Sequence, residues 1–86
     1  MGSFSENIWK QLKNKTTDEL IAALSKDGFI LADKVRTERI YRHPDGRKVS
    51  IHYHKGSETY GAKLLKALIK AAGWSEGNMR RLKLIN

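Results

Sequence analysis

The sequence predicts an α+β fold, in which a three-stranded antiparallel sheet packs on helices. Apolar residues recur at helical spacing on both sides of residues 29–54. Within residues 29–54, apolar and polar residues alternate, as they do in half-buried strands. Because the strands follow one another without an intervening helix, an antiparallel sheet with helices on one face is favoured.

Two helices are predicted before the sheet. The first is a short N-terminal extension at residues 5–14. Its apolar residues lie at helical spacing and are Ile8, Trp9 and Leu12. The second helix covers about 17–27. Thr16 is its predicted N-cap, Glu19 stands at the spacing of a capping box, and Gly28 is a typical terminator.

Three strands are predicted, at 29–33, 36–43 and 48–54. The last two are joined by the Pro-Asp-Gly segment at 44–46. This is a strong turn signal, because Pro presets φ at the first corner and Gly accepts a positive φ at the last. The last two strands are therefore expected to form a hairpin.

Two more helices are predicted after the sheet. The first covers about 61–72 and ends at Gly73. Its apolar face is formed by Leu64, Leu65, Leu68, Ile69 and Ala72. Ser75 is placed to cap a last short helix within 75–84. Residues 1–86 are enough for one modest core, so the chain is predicted to be a single domain.

A three-residue turn fixes the hairpin register and sorts the side chains onto two faces. The face toward the helices collects Tyr41, Val49, Ile51 and Tyr53. The exposed face collects Arg36, Glu38, Ile40, Arg42, Lys48, Ser50, His52 and His54. In this register Glu38 stands opposite His52 and is predicted to hydrogen-bond with it. Arg39 is a misfit, because it points toward the core.

The net charge of +8 lies entirely in the second part of the chain. Residues 1–34 carry five Lys and five acidic residues, whereas residues 35–86 carry twelve Lys and Arg against four acidic residues. A localised positive charge attracts polyanions such as nucleic acid, anionic lipid or an acidic protein. The alternative is a basic surface that serves only solubility.

Several classes of protein are excluded or disfavoured by composition. There is no cysteine, which excludes disulfides and thiolate zinc sites and fits a reducing compartment. No apolar run reaches the length of a membrane span, so a cytoplasmic location without membrane contact is expected. No nucleotide P-loop, nucleophile elbow or dinucleotide fingerprint is present.

The basic residues of the second part suggest where phosphate would bind. On the exposed sheet face these are Arg36, Arg42 and Lys48. The helix at 61–72 adds a stripe of lysines at Lys63, Lys66 and Lys70. Lys55, in the loop after the hairpin, is a weaker candidate of the same kind. The alternative for each set is an ordinary solvated surface.

All three histidines of the chain lie in the hairpin. His52 and His54 share the exposed face, where either could serve as a general base beside bound phosphate, with Glu38 orienting the ring. The alternative is a solvated face with a neutral His–Glu pair. A metal site at the two histidines with Glu38 as third ligand is disfavoured, and no metal or cofactor is predicted.

With these residues in view, the chain resembles the HicA (YcfA-like) toxin family of bacterial type II toxin–antitoxin systems. The resemblance covers roughly residues 17–73. It rests on Asp18-Glu19-Leu20-Ile21, Asp27-Gly28-Phe29, the hairpin string Tyr41-Arg42-His43-Pro44-Asp45-Gly46-Arg47-Lys48-Val49, Gly61, Leu64-Leu65-Lys66-Ala67-Leu68 and Ala71-Ala72-Gly73-Trp74. The hairpin string is the specific part. The resemblance implies a fold like that of double-stranded-RNA-binding domains, ribosome-independent mRNA cleavage, and neutralisation by a HicB-type antitoxin.

The chain departs from this family at its catalytic motif. The family carries Gly-Ser-His before the strand aromatic, and that histidine is catalytic. The matching positions here are Arg36, Thr37 and Glu38. Because the predicted register places His52 across from Glu38, we hypothesise that the imidazole has moved one strand over.

Three functions remain open at this point. The first is an RNA-binding toxin acting as a metal-independent mRNA endoribonuclease, in which His52 or His54 deprotonates a ribose 2′-OH and cations hold the phosphate. The second is a catalytically inactive module that binds structured RNA or DNA. The third is a basic protein-interaction domain.

Overall fold

The computed structural model describes residues 4–86 and has the predicted α+β fold. The helices are α1 (Glu6–Lys13), α2 (Thr17–Lys26), α3 (Ala62–Ala72) and α4 (Glu76–Arg81). The strands are β1 (Ile30–Val35), β2 (Glu38–Arg42) and β3 (Lys48–His52), which form one antiparallel sheet in the order β1-β2-β3. This arrangement is consistent with the fold of double-stranded-RNA-binding domains.

The predicted register of the β2–β3 hairpin is confirmed. Glu38 pairs with His52 at one end of the ladder, and Arg42 pairs with Lys48 at the other. The turn beyond this end is closed by the His43 amide, which donates to the Arg47 carbonyl at 2.9 Å. The local Pro-Asp-Gly signal therefore fixed which side chains share a face.

The predicted strand ends were wrong at the other turn. Residues 36 and 37 form a tight turn between β1 and β2, and Arg36 has a φ of 57°, in the left-handed region. Nothing in the sequence marks this turn, because left-handed corners usually carry Gly, Asn or Asp. Arg36 therefore lies in a turn and not on the exposed strand face. β3 also ends at His52, two residues earlier than predicted.

The buried face of the sheet is the predicted one. Tyr41, Val49 and Ile51 are buried, and Tyr53 is half-buried against them. Arg39, the misfit of the pattern, places its guanidinium 3.9 Å from the centre of the Tyr53 ring. A cation–π contact thus allows a charged residue on the core side of β2.

Both ends of the described chain pack into the same core. Ile8 and Leu12 of α1 are buried, as are Leu84 and Ile85 after α4. The Asn86 amide donates to the Gln11 side chain at 2.8 Å, which ties the C-terminus to α1. Among residues 4–86, no helix is long and apolar enough to cross a membrane.

The start of α2 carries the predicted capping box. The Thr16 hydroxyl accepts from the Glu19 amide, and the Glu19 carboxylate accepts from the Thr16 amide at 2.8 Å. This backbone hydrogen bond lowers the pKa of Glu19. The loop after β3 is joined to the same helix end, because the Asp18 amide donates to the Gly56 carbonyl at 3.0 Å.

The close approach of Gly56 to α2 gives a stability prediction. A methyl group at Gly56 would overlap the Asp18 carboxylate, which is held by the Tyr53 hydroxyl. We expect Gly56→Ala to lower the free energy of unfolding by about 1–2 kcal/mol, since the loop must move. Gly77→Ala, in α4, should raise the free energy of unfolding by about 0.5–1 kcal/mol, because a methyl group there would meet only the Ser75 hydroxyl, at an ordinary contact distance of 3.8 Å. Urea denaturation measures both, and a Gly56→Ala protein as stable as the parent would contradict the prediction.

Candidate functional site

A groove of about 410 Å³ lies between β3 and α3, and we call it the β3–α3 groove. Its lining consists of Glu38, Lys48, Val49, Ser50, His52, Tyr60, Leu64, Ala67, Leu68 and Ala71. One wall is therefore polar and comes from the exposed face of the sheet. The other wall is apolar and comes from the flank of α3.

Simple periodicities produce this groove. Alternate residues of a strand share a face, which brings Lys48, Ser50 and His52 together on β3. Residues three and four apart share one side of a helix, which brings Leu64 next to Ala67 and Ala71 on α3. Small alanine side chains leave the space that larger residues would fill.

His52 is the centre of the polar wall. Its Nε2 lies 3.3 Å from the Thr37 hydroxyl, and its ring centre lies 4.7 Å from that of His54. The predicted hydrogen bond between His52 and Glu38 was wrong, although the two residues are cross-strand partners. The reason is the tight turn at residues 36 and 37, which brings the Thr37 hydroxyl to the imidazole.

His52 lies beside the positions that the resemblance drawn from the sequence assigns to a Gly-Ser-His motif. That resemblance implies Ser at the position of Thr37 and a catalytic His at the position of Glu38. His52 contacts the first and pairs across the ladder with the second. An imidazole is therefore present beside the motif position, although it comes from the neighbouring strand.

Tyr60 adds a polar group that sequence reasoning missed. Tyr60 lines the groove, and its hydroxyl oxygen is buried without a well-formed hydrogen bond among residues 4–86. Burial raises the pKa of the Tyr60 hydroxyl, and the nearby His52 backbone amide opposes this effect. The hydroxyl therefore lies beneath the groove surface, beside the backbone of β3.

Two cations lie at the turn end of the exposed sheet face. Arg42 and Lys48 are cross-strand partners, both are exposed, and Lys48 also lines the groove. Arg36 lies at the opposite end of β2, in its turn, and Lys55 lies in the loop after β3. The predicted sheet cations therefore flank the histidines from two sides and do not form one continuous stripe.

The lysine stripe of α3 is not part of the groove. Lys63, Lys66 and Lys70 are exposed, but the groove side of this helix is formed by Leu64 and its neighbours. The Lys66 ammonium lies 5.5 Å from the centre of the Trp9 ring of α1. The stripe is thus a second cationic surface, next to α1.

The third histidine serves the fold. His43 Nε2 donates to the Asp27 carbonyl at 2.9 Å, at the end of α2. The Asp27 carboxylate accepts from Arg47 Nη1 and from Trp74 Nε1, both at 3.0 Å, and Arg47 also donates to the Ala72 carbonyl. We call His43, Asp27, Arg47 and Trp74 the Asp27 network. It ties the hairpin turn to the ends of α2 and α3, and it was not predicted from the sequence.

The histidines and Glu38 do not form a metal-binding cluster. Within the part of the chain that the structure describes, no three His, Cys, Asp or Glu side chains come together closely enough to hold an ion. The third ligand that a zinc site would need is therefore not supplied by Glu38.

Comparison with known proteins gives one result that bears on this site. None of the curated proteins matches the chain. The family model described as the HicA toxin of bacterial toxin–antitoxin systems matches residues 17–74. This range includes α2, the whole sheet, α3 and every residue that lines the β3–α3 groove. The chain therefore belongs to the HicA family of toxins.

Proposed function

We propose that this toxin binds mRNA and cleaves it as a metal-independent endoribonuclease at the β3–α3 groove. The observation that carries the proposal is the position of His52. It lines a groove, contacts Thr37 and His54, and stands opposite the motif position Glu38. Paired imidazoles beside cations are suited to acid–base cleavage of a phosphodiester.

The proposed reaction uses the RNA as its own nucleophile. His52 accepts the proton of a ribose 2′-OH, and the 2′-oxygen attacks the adjacent phosphorus. The bond between phosphorus and the 5′-oxygen breaks, and protonated His54 gives its proton to the leaving oxygen. The products are a 2′,3′-cyclic phosphate and a free 5′-OH, so no external oxidant, reductant or metal takes part.

Cations on the same sheet face would bind phosphates that neighbour the cleaved bond. Lys48 lines the groove four residues from His52, and Arg42 lies beside Lys48 on the ladder. Positive charges fixed along the path of an RNA strand attract its backbone. The +8 charge of the second part of the chain would also draw RNA toward this side of the molecule.

Family membership implies an antitoxin partner. We propose that this partner is a HicB-like protein which covers the groove with a partly acidic surface, because Lys48 lines the groove and Arg36, Arg42 and Lys55 lie around it. We also propose a cytoplasmic site of action, where mRNA is available.

The experiment that tests the proposal is incubation of the purified protein with a defined RNA, with and without EDTA. We expect cleavage in both conditions and products that end in a 2′,3′-cyclic phosphate, which mass spectrometry identifies. Cleavage that EDTA abolishes, or products with a 5′-phosphate, would overturn the proposed mechanism.

A salt titration tests the phosphate contact of Lys48. Each lost phosphate contact reduces the slope of log Kobs against log salt by about 0.7 for single-stranded nucleic acid. We expect that reduction for Lys48→Gln and no change for the control Lys10→Gln, because Lys10 lies on α1, outside the groove. Equal slopes for the two variants would show that Lys48 makes no phosphate contact.

The second candidate is an RNA-binding module without catalysis. The observation in its favour is that Glu38 occupies the position of the family's catalytic histidine. Salt-dependent binding that leaves the RNA intact would support this candidate over the first. An absence of nucleic-acid affinity even at low salt would sink both and favour a protein-interaction domain.

A further inference from the structure

We propose that the β3–α3 groove takes a single unpaired nucleobase with its ribose, so that the protein selects single-stranded over duplex RNA. This inference rests on the proposed function and names its substrate class. It also departs from what the fold suggests, since domains of this shape are associated with double-stranded RNA.

The size of the groove supports one nucleoside. Pockets for small molecules range from about 300 to 1,000 Å³, and the groove, at about 410 Å³, lies near the lower limit. A base within a duplex is stacked on both faces and paired at its edge. It cannot enter a groove between a strand and a helix unless it leaves the stack.

The chemistry of the two walls also fits a base. On α3, Leu64 is 58% exposed, and Ala67 and Ala71 continue the same apolar surface. The flat face of a base can pack there. On the strand side of the groove, the hydroxyl of the exposed Ser50 offers hydrogen bonds to polar edge atoms of a base or ribose.

Charge places the phosphate at the same groove. Lys48 lines it, and His52 lies four residues along the same face of β3, about 13 Å away at 3.3 Å per residue. A nucleoside held between the walls with its 2′-OH near the imidazole would therefore have the phosphate of a neighbouring nucleotide near Lys48. An apolar peptide, the other occupant that such a wall could accept, would leave Lys48 without a partner.

The test compares a fluorescent single-stranded oligoribonucleotide with a duplex of the same sequence. The parent protein should bind the single strand at least tenfold more tightly. Ala71→Leu, which fills the groove from an exposed position, should weaken single-strand binding about tenfold. The matched control is Ala22→Leu, the same change at an exposed position of α2, and it should leave binding unchanged.

Ser50→Ala supplies a second test, on the strand side of the groove. Ser50 is exposed, so the thermal midpoint should change little. Single-strand affinity should nevertheless fall several-fold, because the base or ribose loses a hydroxyl partner. A duplex preference, or unchanged single-strand binding in both Ala71→Leu and Ser50→Ala, would overturn the inference.

The same experiments separate this inference from the proposed function. If the parent cleaves RNA and the groove variants cleave and bind like the parent, nucleobase binding in the groove is wrong and the endoribonuclease proposal stands. If the parent binds a single strand, the groove variants bind it more weakly and no protein cleaves it, the endoribonuclease proposal is wrong and nucleobase binding stands.

Discussion

Replacing His52 with alanine should lower the rate constant of RNA cleavage by about 10²–10⁴, the usual contribution of a positioned general base. His52 is exposed, and its side chain contacts Thr37 and His54 rather than the buried core. The variant should therefore fold normally and retain RNA binding. Cleavage kinetics with excess protein, together with expression-induced growth arrest, measure the effect.

Three matched variants define the site around His52. His54→Ala should lower the rate constant of cleavage by a similar factor, since the leaving oxygen would lack its proton donor. Thr37→Val should lower it by a smaller factor. Thr37→Ser should cleave at the parent rate, because serine keeps a hydroxyl near His52 Nε2. Lys10→Ala, on α1, should match the parent. If His52→Ala cleaves RNA and arrests growth like the parent, the idea that the imidazole moved one strand over is wrong.

Replacing Asp27 with alanine should lower the free energy of unfolding by about 3 kcal/mol, as expected when one member of a buried charged network is removed. The Asp27 side chain is only 10% exposed and accepts hydrogen bonds from Arg47 and Trp74. Its loss leaves the buried indole N–H and a guanidinium N–H without that acceptor. Guanidinium denaturation of the parent and the variant measures the change.

The control for Asp27→Ala is Asp33→Ala. Asp33 is exposed on β1, and its carboxylate accepts a hydrogen bond from the adjacent Lys34 amide. Its replacement should change stability by about 0.5 kcal/mol or less. Asp27→Asn should lower the free energy of unfolding by an amount between these two values. Its amide oxygen can still accept a hydrogen bond from Trp74 but carries no charge to pair with Arg47. Equal effects for Asp27→Ala and Asp33→Ala would contradict a structural role of the network.

Sequence reasoning succeeded where the determining signal was local. The Pro-Asp-Gly turn at 44–46 fixed the pairing of β2 with β3, and with it the exposed position of His52. The capping box of Thr16 and Glu19 was equally local and equally correct. These features depend on residues a few positions apart, so no tertiary information was needed.

The features that were missed depend on tertiary contacts. Arg36 adopts a left-handed backbone conformation, which its residue type does not predict. The resulting turn places Thr37 rather than Glu38 in contact with the His52 imidazole. The Asp27 network joins three segments that are far apart in sequence. The partnerless state of the Tyr60 hydroxyl depends on everything packed around it. Periodicity and turn chemistry carry no signal for such contacts.

The Asp27 network also bears on how loss-of-toxicity mutants should be interpreted. A genetic selection for surviving cells would recover substitutions of Arg47 or Asp27 as readily as substitutions of His52, although only His52 is proposed to take part in the reaction. The two groups of survivors differ in protein abundance, since unstable variants are degraded in cells. Immunoblotting of survivors would therefore separate substitutions that destabilise the protein, such as those of Arg47 in the hairpin string, from substitutions of His52, which are proposed to stop the reaction.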